Sequence, residues 1–575
     1  MGKEWIIKDQ GDSIEVADLA SALKIPSSIA NLLVQRNIKT YDQARVFFRP
    51  TLDDLHDPFL MKGMGLATER ILTAIRKNEN ILIYGDYDVD GTTSVALVYS
   101  FLKLRYDNLS YYIPDRYSEG YGISFKAIDY AAANNISLIV ALDCGIKAVE
   151  KIAYARSKRI DFIICDHHMP GDIIPDAVAI LDPKQPGCDY PFKELSGCGV
   201  GYKMLQALTT KSDYSNDELL KFLDLVVVSV ASDIVPITGE NRILAHFGLK
   251  RLSSDPCFGL KSIIKLANIS NRDLTIDDIV FKIGPRINAA GRMKSGNKAV
   301  ELLVAHDDHI AREIGEVINV FNDNRKDVDR QVTLEARKMI ASDSAYHERR
   351  STVLFNPLWQ KGVIGIVASR LIETYFRPTV ILTESNGFAT GSARSVPGFD
   401  IYQVVEGCSD LLENFGGHMY AAGMTMKLEN VPHFQKRFEE LVVQNITLAQ
   451  LAPKVEIDSV ISVKEIDDKF CRLLKEFQPF GPDNLSPVFV ARKLVNNGSV
   501  KIVGPTKEHL KMEVFSEESY GHVFSAIAFH QADHFNLIRL GIPFDACFTI
   551  EENTFKGKTN WQLNIRDIRT REDSN

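Results

Sequence analysis

The chain has 575 residues, which is too many for a single hydrophobic core and suggests roughly three or four domains. Hydrophobic residues make up 45% and charged residues 25% of it, a composition that excludes a fibrous or disordered protein. The net charge of -8 excludes a basic surface over the whole molecule, so any nucleic-acid binding must come from local basic patches.

Signals for export and membrane insertion are not found in the sequence. The segment MGKEWIIKDQGDS lacks the apolar core of a signal peptide. The longest apolar run, 225–231, is far shorter than the ~20 residues of a membrane span. The cysteines form no C-x-x-C pair, which favours buried, reduced thiols over zinc sites or disulfides. We therefore expect a cytoplasmic protein that does not associate with membranes.

The first half of the chain is predicted to contain a helical region and an α/β domain. Residues 1–65 carry apolar residues at helical spacing in ADLASALKI, SSIANLLVQRN and TYDQARVFF. Residues 66–308 are assigned to the α/β domain, because short apolar runs alternate with helical patterns and end in polar residues: ENILIYGDYD, SYYIPDR, SLIVALDCG, DFIICDHH and AVAILDPK. This pattern is typical of a parallel sheet covered on both faces, with reactive groups at the carboxyl ends of the strands.

The second half is predicted to contain a long helix, another α/β lobe and a barrel. Residues 309–342 are highly charged and contain no proline, which favours one helix that connects two lobes. Residues 343–450 again alternate between strand and helix patterns. Residues 451–575 contain short alternating strands with few helices, which indicates a small β-barrel: VEIDSVISV, SPVFVARKLV, HLKMEVF, FSAIAFH, FDACFTIEENTF and NWQLNIRDI.

The first acidic cluster follows the first strand of the predicted parallel sheet. In GDYDVDG, Asp86, Asp88 and Asp90 occupy alternate positions, and Gly91 allows a tight turn into a helix. Three carboxylates this close repel one another, and a divalent cation would turn that repulsion into coordination. A solvated acidic loop or a helix N-cap remains the alternative, because Asp is favoured at N-caps.

Three further elements of the same domain carry acidic or imidazole groups. Asp143 ends the apolar strand of LIVALDCGI, and Asp233 lies in the apolar run VVSVASDIVP, where an unpaired charge is costly to bury. The triplet Asp166, His167 and His168 follows another strand. Taken alone, Asp143 could be a helix cap, and His167 and His168 could be a solvent-exposed pair. Together with GDYDVDG they predict a two-metal site, for Mn2+ or Mg2+ rather than Zn2+ because oxygen ligands outnumber nitrogen.

The order of these motifs resembles a known family. GDYDVDG, LDCG, DHH and ASDIVP resemble motifs I to IV of the DHH phosphoesterase superfamily. Other segments resemble the RecJ-type single-strand-specific DNA exonucleases: IPDRYSEGYGI, GPRINAAGRM, WQKGVIGIVASRL, GSARS, GGHMYAAG and PFGPDN. The resemblance implies a parallel-sheet DHH domain and a second α/β lobe of the DHHA1 type, joined by a long helix and followed by an OB-like β-barrel.

The resemblance also implies roles for the matching residues of the catalytic centre. Its metal ligands would be Asp86, Asp88, Asp90, Asp143, His167 and Asp233. Asp143 would bridge two Mn2+ or Mg2+ ions, and the catalytic residues would be Asp143, His168 and His418. Related phosphatases carry a His slightly before Asp86, where this chain has Tyr84. In GGHMYAAG, His418 would reach the scissile phosphate, and Gly416 and Gly417 would let backbone N–H groups approach it.

Basic and aromatic residues outside that centre are candidates for substrate binding. Ser392 and Arg394 in GSARS suit a small anion, and by resemblance they would receive the 5′-phosphate. Arg116, Arg286, Asn288 and Arg292 would line the path of the strand, although GPRINAAGR could also be a tight packing turn. WQKGVIGIVASRL is interpreted as close helix packing. Candidates for DNA contacts in the barrel are Phe480, Phe489, Lys511, Phe555, Lys556, Lys558 and Trp561.

The function implied is 5′-to-3′ hydrolysis of single-stranded DNA to 5′-mononucleotides in recombination and repair, alongside single-strand-binding protein and a helicase. One alternative is a hydrolase of oligoribonucleotides, cyclic dinucleotides or pyrophosphate. Such an enzyme needs little beyond the two α/β lobes, whereas this chain carries about 120 further residues. A second alternative is an inactive scaffold that binds single strands. Scaffolds of this kind have lost metal ligands, whereas every acidic position is filled here.

Overall fold

The computed structural model describes residues 3–116, 118–270, 272–293, 295–516, 522–555 and 558–570, without the side chains of 554, 555 and 558. The chain divides into two compact units. The first contains Met1–Leu55, Pro236–His246 and Lys454–Asn575, and the second contains His56–Val235 and Phe247–Pro453. Within the described residues, no helix is both long enough and apolar enough to cross a bilayer.

The N-terminal segment contains the predicted helices and a strand that was not predicted. The elements are β1 (Glu4–Ile7), α1 (Ser13–Leu23), α2 (Ser27–Val34) and α3 (Tyr41–Phe48). Each helix begins close to an expected capping residue type. Asp12 accepts hydrogen bonds from two backbone N–H groups at the start of α1, and Thr40 forms a capping box with Gln43 at the start of α3.

The following segment forms the predicted parallel sheet, with strand order β3-β2-β4-β5-β6. Its central strands are apolar throughout because both faces of the sheet are covered. The elements are α4 (Met64–Arg76), β2 (Asn80–Gly85), α5 (Val89–Lys103), β3 (Leu109–Tyr112), α6 (Phe125–Ala133), β4 (Ile136–Leu142), α7 (Val149–Ser157), β5 (Asp161–Cys165) and β6 (Ala179–Leu181).

A set of helices follows the sheet. They are α8 (Gly197–Thr209), α9 (Asn216–Leu220), α10 (Leu223–Ser232), α11 (Gly239–Ser254), α12 (Phe258–Leu266), α13 (Ile276–Asp278), α14 (Gly284–Met293) and α15 (Asn297–Leu303). Helices α5, α8 and α10 pack against one another, which explains why the α10 sequence is apolar on all sides. GPRINAAGRM forms α14, so the alternative of a tight turn is wrong.

The connecting helix and the second α/β lobe lie where they were predicted. The elements are α16 (Asp308–Ser342), β7 (Thr352–Phe355), α17 (Ile364–Tyr375), β8 (Thr379–Ser385), β9 (Phe388–Arg394), α18 (Ile401–Glu406), β10 (Asn414–His418), β11 (Ala421–Lys427) and α19 (Val431–Asn445). The sheet has the order β10-β11-β9-β8-β7, and only its β7–β8 pairing is parallel among the described residues.

The C-terminal segment forms the predicted barrel. Its elements are β12 (Lys454–Ile457), β13 (Ser459–Val460), α20 (Asp468–Lys475), β14 (Phe489–Asn496), β15 (Lys501–Val503), β16 (His509–Ser516), β17 (Phe524–Ala528), α21 (Phe535–Arg539), β18 (Phe544–Phe555) and β19 (Lys558–Arg569). The sheet runs β13-β14-β18-β19-β17-β16-β15, and β14 also pairs with β16, which closes the barrel. Strand β12 pairs in parallel with β1, from Glu4 with Lys454 to Ile7 with Ile457.

The barrel core limits which aromatic residues can contact DNA. Phe489 is fully buried against Phe470 and Phe548, so its proposed contact with a base is wrong. Phe480 and Trp561 are partly buried against the same core. Lys511 is half-buried on β16. The remaining candidates, Lys556 and the side chains of Phe555 and Lys558, lie outside the described residues.

Candidate active site

The candidate site lies at the carboxyl edge of the parallel sheet. Strand β2 leads into Asp86, β4 leads into Asp143, and β5 leads into Asp166. The strand order reverses at this place, since β3 lies on one side of β2 and β4 lies on the other. At such a reversal, parallel α/β sheets open a crevice outside the carboxyl ends of the strands. The chain therefore carries its acidic residues to the place where this architecture binds ligands.

The imidazole of His167 lies among three carboxylates. Its Nε2 is 3.2 Å from Asp143 Oδ1, 3.5 Å from Asp233 Oδ2 and 3.7 Å from Asp90 Oδ2. Ligand atoms lie within 4.8 Å of one another in two overlapping groups: Asp143, His167 and His168, and Asp90, His167 and Asp233. Both nitrogens of His167 are buried, and neither has a hydrogen-bond partner in the described part of the chain. This donor set fits a divalent cation.

Asp90 is held in place by residues that the sequence analysis did not identify. It accepts hydrogen bonds from the backbone N–H groups of Gly197 at 2.7 Å and Cys198 at 2.8 Å, where α8 begins. Ser229 in α10 donates to Asp90 Oδ1 at 2.7 Å and lies 2.6 Å from the hydroxyl of Ser196. The positive end of the α8 dipole favours the charged carboxylate. The signal for this contact was the segment SGCGVG, whose small residues let a helix start approach closely.

The other carboxylates of the first motif are held by the backbone. Asp86 is fully buried and accepts from backbone N–H groups at 2.5 and 3.2 Å, the second belonging to Gly122. Asp88 caps α5 through a backbone N–H at 3.0 Å, so the N-cap alternative holds for this residue. Neither Asp86 nor Asp88 belongs to the two groups whose ligand atoms lie within 4.8 Å of one another. Tyr84 is buried and donates to the Gly122 carbonyl at 2.7 Å.

Asp166 holds the Asp-His-His triplet in its conformation. Its carboxylate accepts from the backbone N–H groups of Ile146 at 2.9 Å, His167 at 2.8 Å and His168 at 3.2 Å. It also accepts from His168 Nδ1 at 2.7 Å. Burial opposes both charges, but this contact lowers the pKa of Asp166 to about 2 and raises the pKa of His168 to about 9. Nε2 of His168 then lies 3.5 Å from the hydroxyl of Tyr121.

Burial and the repulsion between carboxylates together raise pKa values in the rest of the acidic cluster. Burial, followed by the charges of Asp90 and Asp88, raises the pKa of Asp143 well above its usual range. Burial and Asp90 likewise raise the pKa of Asp233 to about 8. These carboxyl groups resist ionisation because they are buried and because negative charge in the cluster exceeds the nearby positive charge. A bound divalent cation would offset that excess, which is a second reason why these residues fit a metal.

Gly197 permits the close approach of α8 to Asp143. A Cβ at this position would lie 2.6 Å from Asp143 Cβ and 2.9 Å from its Cα. We expect Gly197→Ala to displace Asp143, to lower activity by about 10- to 100-fold and to reduce the free energy of unfolding by about 1–3 kcal/mol. Activity assays and urea denaturation would measure the two effects.

The matched control is Gly65→Ala in α4, where a Cβ would meet no atom within 4 Å. We expect this variant to keep wild-type activity and stability. Equal activity of the Gly197 and Gly65 variants would contradict the proposed packing constraint.

A second cluster is basic and lies in the other lobe. Arg394, at the end of β9, donates from Nη1 to Ser392 Oγ at 2.9 Å and to the Ala393 carbonyl at 2.7 Å. At Gly365, in the first turn of α17, a Cβ would lie 2.9 Å from both Ser392 Oγ and Arg394 Nη2. A helix start, a hydroxyl and a guanidinium together suit an anion. The close packing predicted for WQKGVIGIVASRL is therefore seen at Gly365, where α17 approaches the side chains of Ser392 and Arg394.

Other arginines extend this cluster toward the parallel-sheet domain. Arg292 donates to the backbone carbonyl of residue 362 at 3.0 Å, which links α14 to the turn before α17. Burial, followed by Arg116, Arg325 and Arg394, lowers the pKa of Arg292 to about 10. Among the described residues, no carboxylate forms an ion pair with Arg116 or Arg394. The cluster thus has an excess of positive charge, as an anion site requires.

Arg286 and Asn288 lie on α14. Arg286 donates to Asn319 Oδ1 at 3.1 Å and to the Lys282 carbonyl at 2.6 Å. These contacts join α14 to the long helix α16. Asn288 is half-buried on the same helix. Arg286 also contributes to lowering the pKa of Arg325, after burial and Arg370.

Gly416, Gly417 and His418 are exposed on β10, at the edge of the second sheet. Among the described residues, His418 belongs to neither of the two groups of ligand atoms that could hold a metal ion. Its Nδ1 accepts instead from the Tyr420 backbone N–H at 3.3 Å. A Cβ at Gly417 would lie 2.3 Å from the carbonyl oxygen of Ala421, so only glycine fits there.

Family models match three regions of the chain. Residues 80–230 match the N-terminal domain of the DHH family, residues 350–444 match the DHHA1 domain, and residues 457–567 match the RecJ OB domain. These matches follow the order of the parallel sheet, the second lobe and the barrel along the chain. They confirm the resemblance inferred from the motifs.

Curated relatives are similar over nearly the whole chain. The single-stranded-DNA-specific exonuclease RecJ of Bacillus subtilis is 36% identical over 98% of this chain and 70% of its own length. The protein of the same name from Salmonella typhimurium is 33% identical over 88% of this chain and 90% of its own length. The protein of the same name from Escherichia coli is 30% identical over 96% of this chain and 97% of its own length.

Solved structures agree with the fold. A Thermus thermophilus RecJ structure in complex with Mn2+ has a TM-score of 0.84 at 24% identity and covers 99% of this chain and 79% of that chain. A structure of exonuclease RecJ bound to manganese has a TM-score of 0.60 at 28% identity, with 70% of this chain and 100% of that chain covered. The α/β architecture with a C-terminal barrel is therefore confirmed.

Proposed function

Because the chain belongs to the RecJ family of single-stranded-DNA-specific exonucleases, we propose that it hydrolyses single-stranded DNA from the 5′ end and releases 5′-mononucleotides. The observation that carries this proposal is the unpartnered His167 imidazole, which lies 3.2–3.7 Å from three carboxylates at the switch point of the parallel sheet. A centre of this kind can catalyse phosphodiester hydrolysis, and the adjoining basic cluster can bind the phosphates of the strand.

The proposed ligands of two Mn2+ or Mg2+ ions are Asp86, Asp88, Asp90, Asp143, His167 and Asp233. The excess negative charge of the cluster and the free nitrogens of His167 support this set. When bound, such ions supply Lewis acidity for activating water and offset charge on the phosphodiester. Asp143 is the proposed bridge, since its carboxylate lies nearest to His167 Nε2. Burial keeps bulk water from screening these groups.

His168 is proposed either to contact the scissile phosphate or to donate a proton to the leaving oxygen. Asp166 accepts from Nδ1 and keeps the imidazole protonated, which leaves Nε2 as the donating atom. Asp166 is thus a positioning residue. We further assign His418, with Gly416 and Gly417, to the phosphate from the second lobe. Their exposure on an edge strand supports this assignment, because a ligand can reach them there.

The basic cluster is proposed to bind the 5′-terminal phosphate through Ser392 and Arg394, which sets 5′-to-3′ polarity. Arg116 and Arg292 would bind the backbone of the strand between this cluster and the acidic centre, and Arg286 and Asn288 would continue its path along α14. The unpaired charges of Arg116 and Arg394 support the proposal, since half-buried cations without an acidic partner favour an anionic ligand.

A time course with end-labelled DNA tests the activity. We expect release of labelled mononucleotide from a 5′-labelled single strand with Mn2+, and no release from blunt duplex or after chelation of the metal. A 3′-labelled strand would shorten progressively before its label appears as mononucleotide. Faster hydrolysis of dinucleotides than of long single strands would instead favour the small-substrate alternative. Hydrolysis of none of these substrates would favour the scaffold.

The wider role is proposed from the same premise. The enzyme would act in DNA recombination and repair in the cytoplasm, on single strands exposed by a helicase and covered by single-strand-binding protein. We assign catalysis to residues 66–308 and 343–450, joined by the helix of 309–342, and single-strand binding to the barrel of 451–575. Residues 1–65 are assigned a supporting role, since their helices share a core with the barrel.

A further inference from the structure

Ile234 has a backbone conformation that its side chain disfavours. It follows Asp233, the C-cap residue of α10, and its backbone φ angle is 60°. Glycine is usual at this position after a helix, because a left-handed conformation brings Cβ close to the backbone. A β-branched side chain is especially unfavourable there. Ile234 is also 63% exposed, so burial of its side chain does not offset this cost.

Two other exposed apolar side chains flank the acidic centre. Met169 follows His168 directly and is 66% exposed, and Tyr121 is 53% exposed with its hydroxyl 3.5 Å from His168 Nε2. Consecutive Cα atoms are about 3.8 Å apart, and Asp233 Oδ2 lies 3.5 Å from His167 Nε2. Ile234 is therefore the direct chain neighbour of a residue whose carboxylate lies beside His167.

We propose that Ile234 contacts the nucleobase next to the scissile bond and separates it from the neighbouring base. This inference rests on the proposed exonuclease function. The acidic and basic clusters suit the phosphates, but neither offers an apolar surface to the bases. Proteins that unstack nucleic acids insert apolar side chains between base steps, and isoleucine is one of those used. A strained, exposed isoleucine at a reaction centre is consistent with such a role, because strain of this kind accumulates at functional sites.

The test uses Ile234→Gly and Ile234→Leu in the full chain with Mn2+. Glycine removes both the strain and the side chain, so we expect the melting temperature to rise by about 2 °C. We expect the KM for single strands to rise about fivefold while kcat stays within about twofold, because the lost contact is made equally in the ground and transition states. Leucine keeps an apolar side chain, and its KM is expected to remain near the wild-type value.

Arg159→Gly is the matched control. Arg159 is exposed with φ 61° and precedes β5, at the opposite edge of the sheet from the acidic centre. It is expected to gain stability as Ile234→Gly does, with unchanged KM. An unchanged KM for Ile234→Gly would overturn the proposal, and an equal rise in KM for the leucine variant would also overturn it.

Strands with an abasic site at the first or second nucleotide identify the group that is contacted. The KM difference between wild type and Ile234→Gly is expected to disappear on one of these two strands, because the base has been removed. Persistence of the full difference on both would overturn a base contact. The wild-type enzyme on an unmodified strand is the reference. Its inactivity would refute the proposed exonuclease function, whereas wild-type activity with no effect of Ile234 would refute only this inference.

Discussion

Replacement of Asp143 by asparagine is expected to lower the rate of single-strand hydrolysis by about 10³-fold and to raise the thermal stability of the metal-free protein. The carboxylate is almost completely buried and lies 3.2 Å from His167 Nε2. Asparagine has the same shape but carries no charge and is a poor ligand for two cations. Because Asp90, Asp88 and Asp233 repel Asp143, removal of its charge relieves the metal-free cluster.

Initial rates with saturating Mn2+ and melting temperatures in the presence of a chelator measure the two effects. Asp213→Asn is the control, since Asp213 is exposed and lies outside the cluster. This control is expected to match wild type in both measurements. A variant at Asp143 that keeps near-normal activity would refute its role as the bridging ligand. A loss of activity with a fall in metal-free stability would indicate a structural defect instead.

Replacement of Arg394 by methionine is expected to raise the KM for a 5′-phosphorylated single strand by about 10²-fold, because a buried, charge-assisted contact with phosphate is lost. For a strand with a 5′-hydroxyl, the expected rise is only a few-fold. Arg394 is held by Ser392 and lies against the first turn of α17, so its guanidinium is already oriented. Methionine retains much of the side-chain length without the charge.

A second measurement does not depend on activity. Inorganic phosphate is expected to raise the melting temperature of the wild-type protein and to have a smaller effect on Arg394→Met, because ligands that bind the folded state stabilise it. Arg437→Met is the control, since Arg437 pairs with Asp410 on an exposed surface. If Arg394→Met raised the KM equally for 5′-phosphorylated and 5′-hydroxyl strands, Arg394 would bind the strand backbone rather than its 5′ end.

The sequence was sufficient to predict the parallel sheet and the residues at its edge. Buried parallel strands are apolar along their whole length, and β2, β4 and β5 each end directly before an acidic residue. Because parallel strands expose their carboxyl ends at one edge, adjacent motifs in the chain meet in space. The convergence of Asp143 with His167 follows from this rule.

Contacts between distant segments could not be predicted in the same way. Ser229 donates to Asp90 across 139 positions, and Gly197 donates across 107. The small residues of SGCGVG allow a close approach there, but no periodicity in the sequence identifies the partner, since each pair depends on how whole helices pack. The burial of Phe489 has the same origin, because alternation along a strand does not reveal which face is covered until the barrel closes.

The parallel pairing of β1 with β12 affects the order in which the newly made protein can fold. Glu4 pairs with Lys454, so the first strand must wait for roughly 450 further residues to be synthesised. At ribosomal speeds of about 5–20 residues per second, that delay is roughly 20–90 seconds. During this time the apolar faces of α1 and α2 lack the barrel residues that share their core. The α/β domain can become compact earlier, so β1 joins its partner strand only after residues 454–457 have been made.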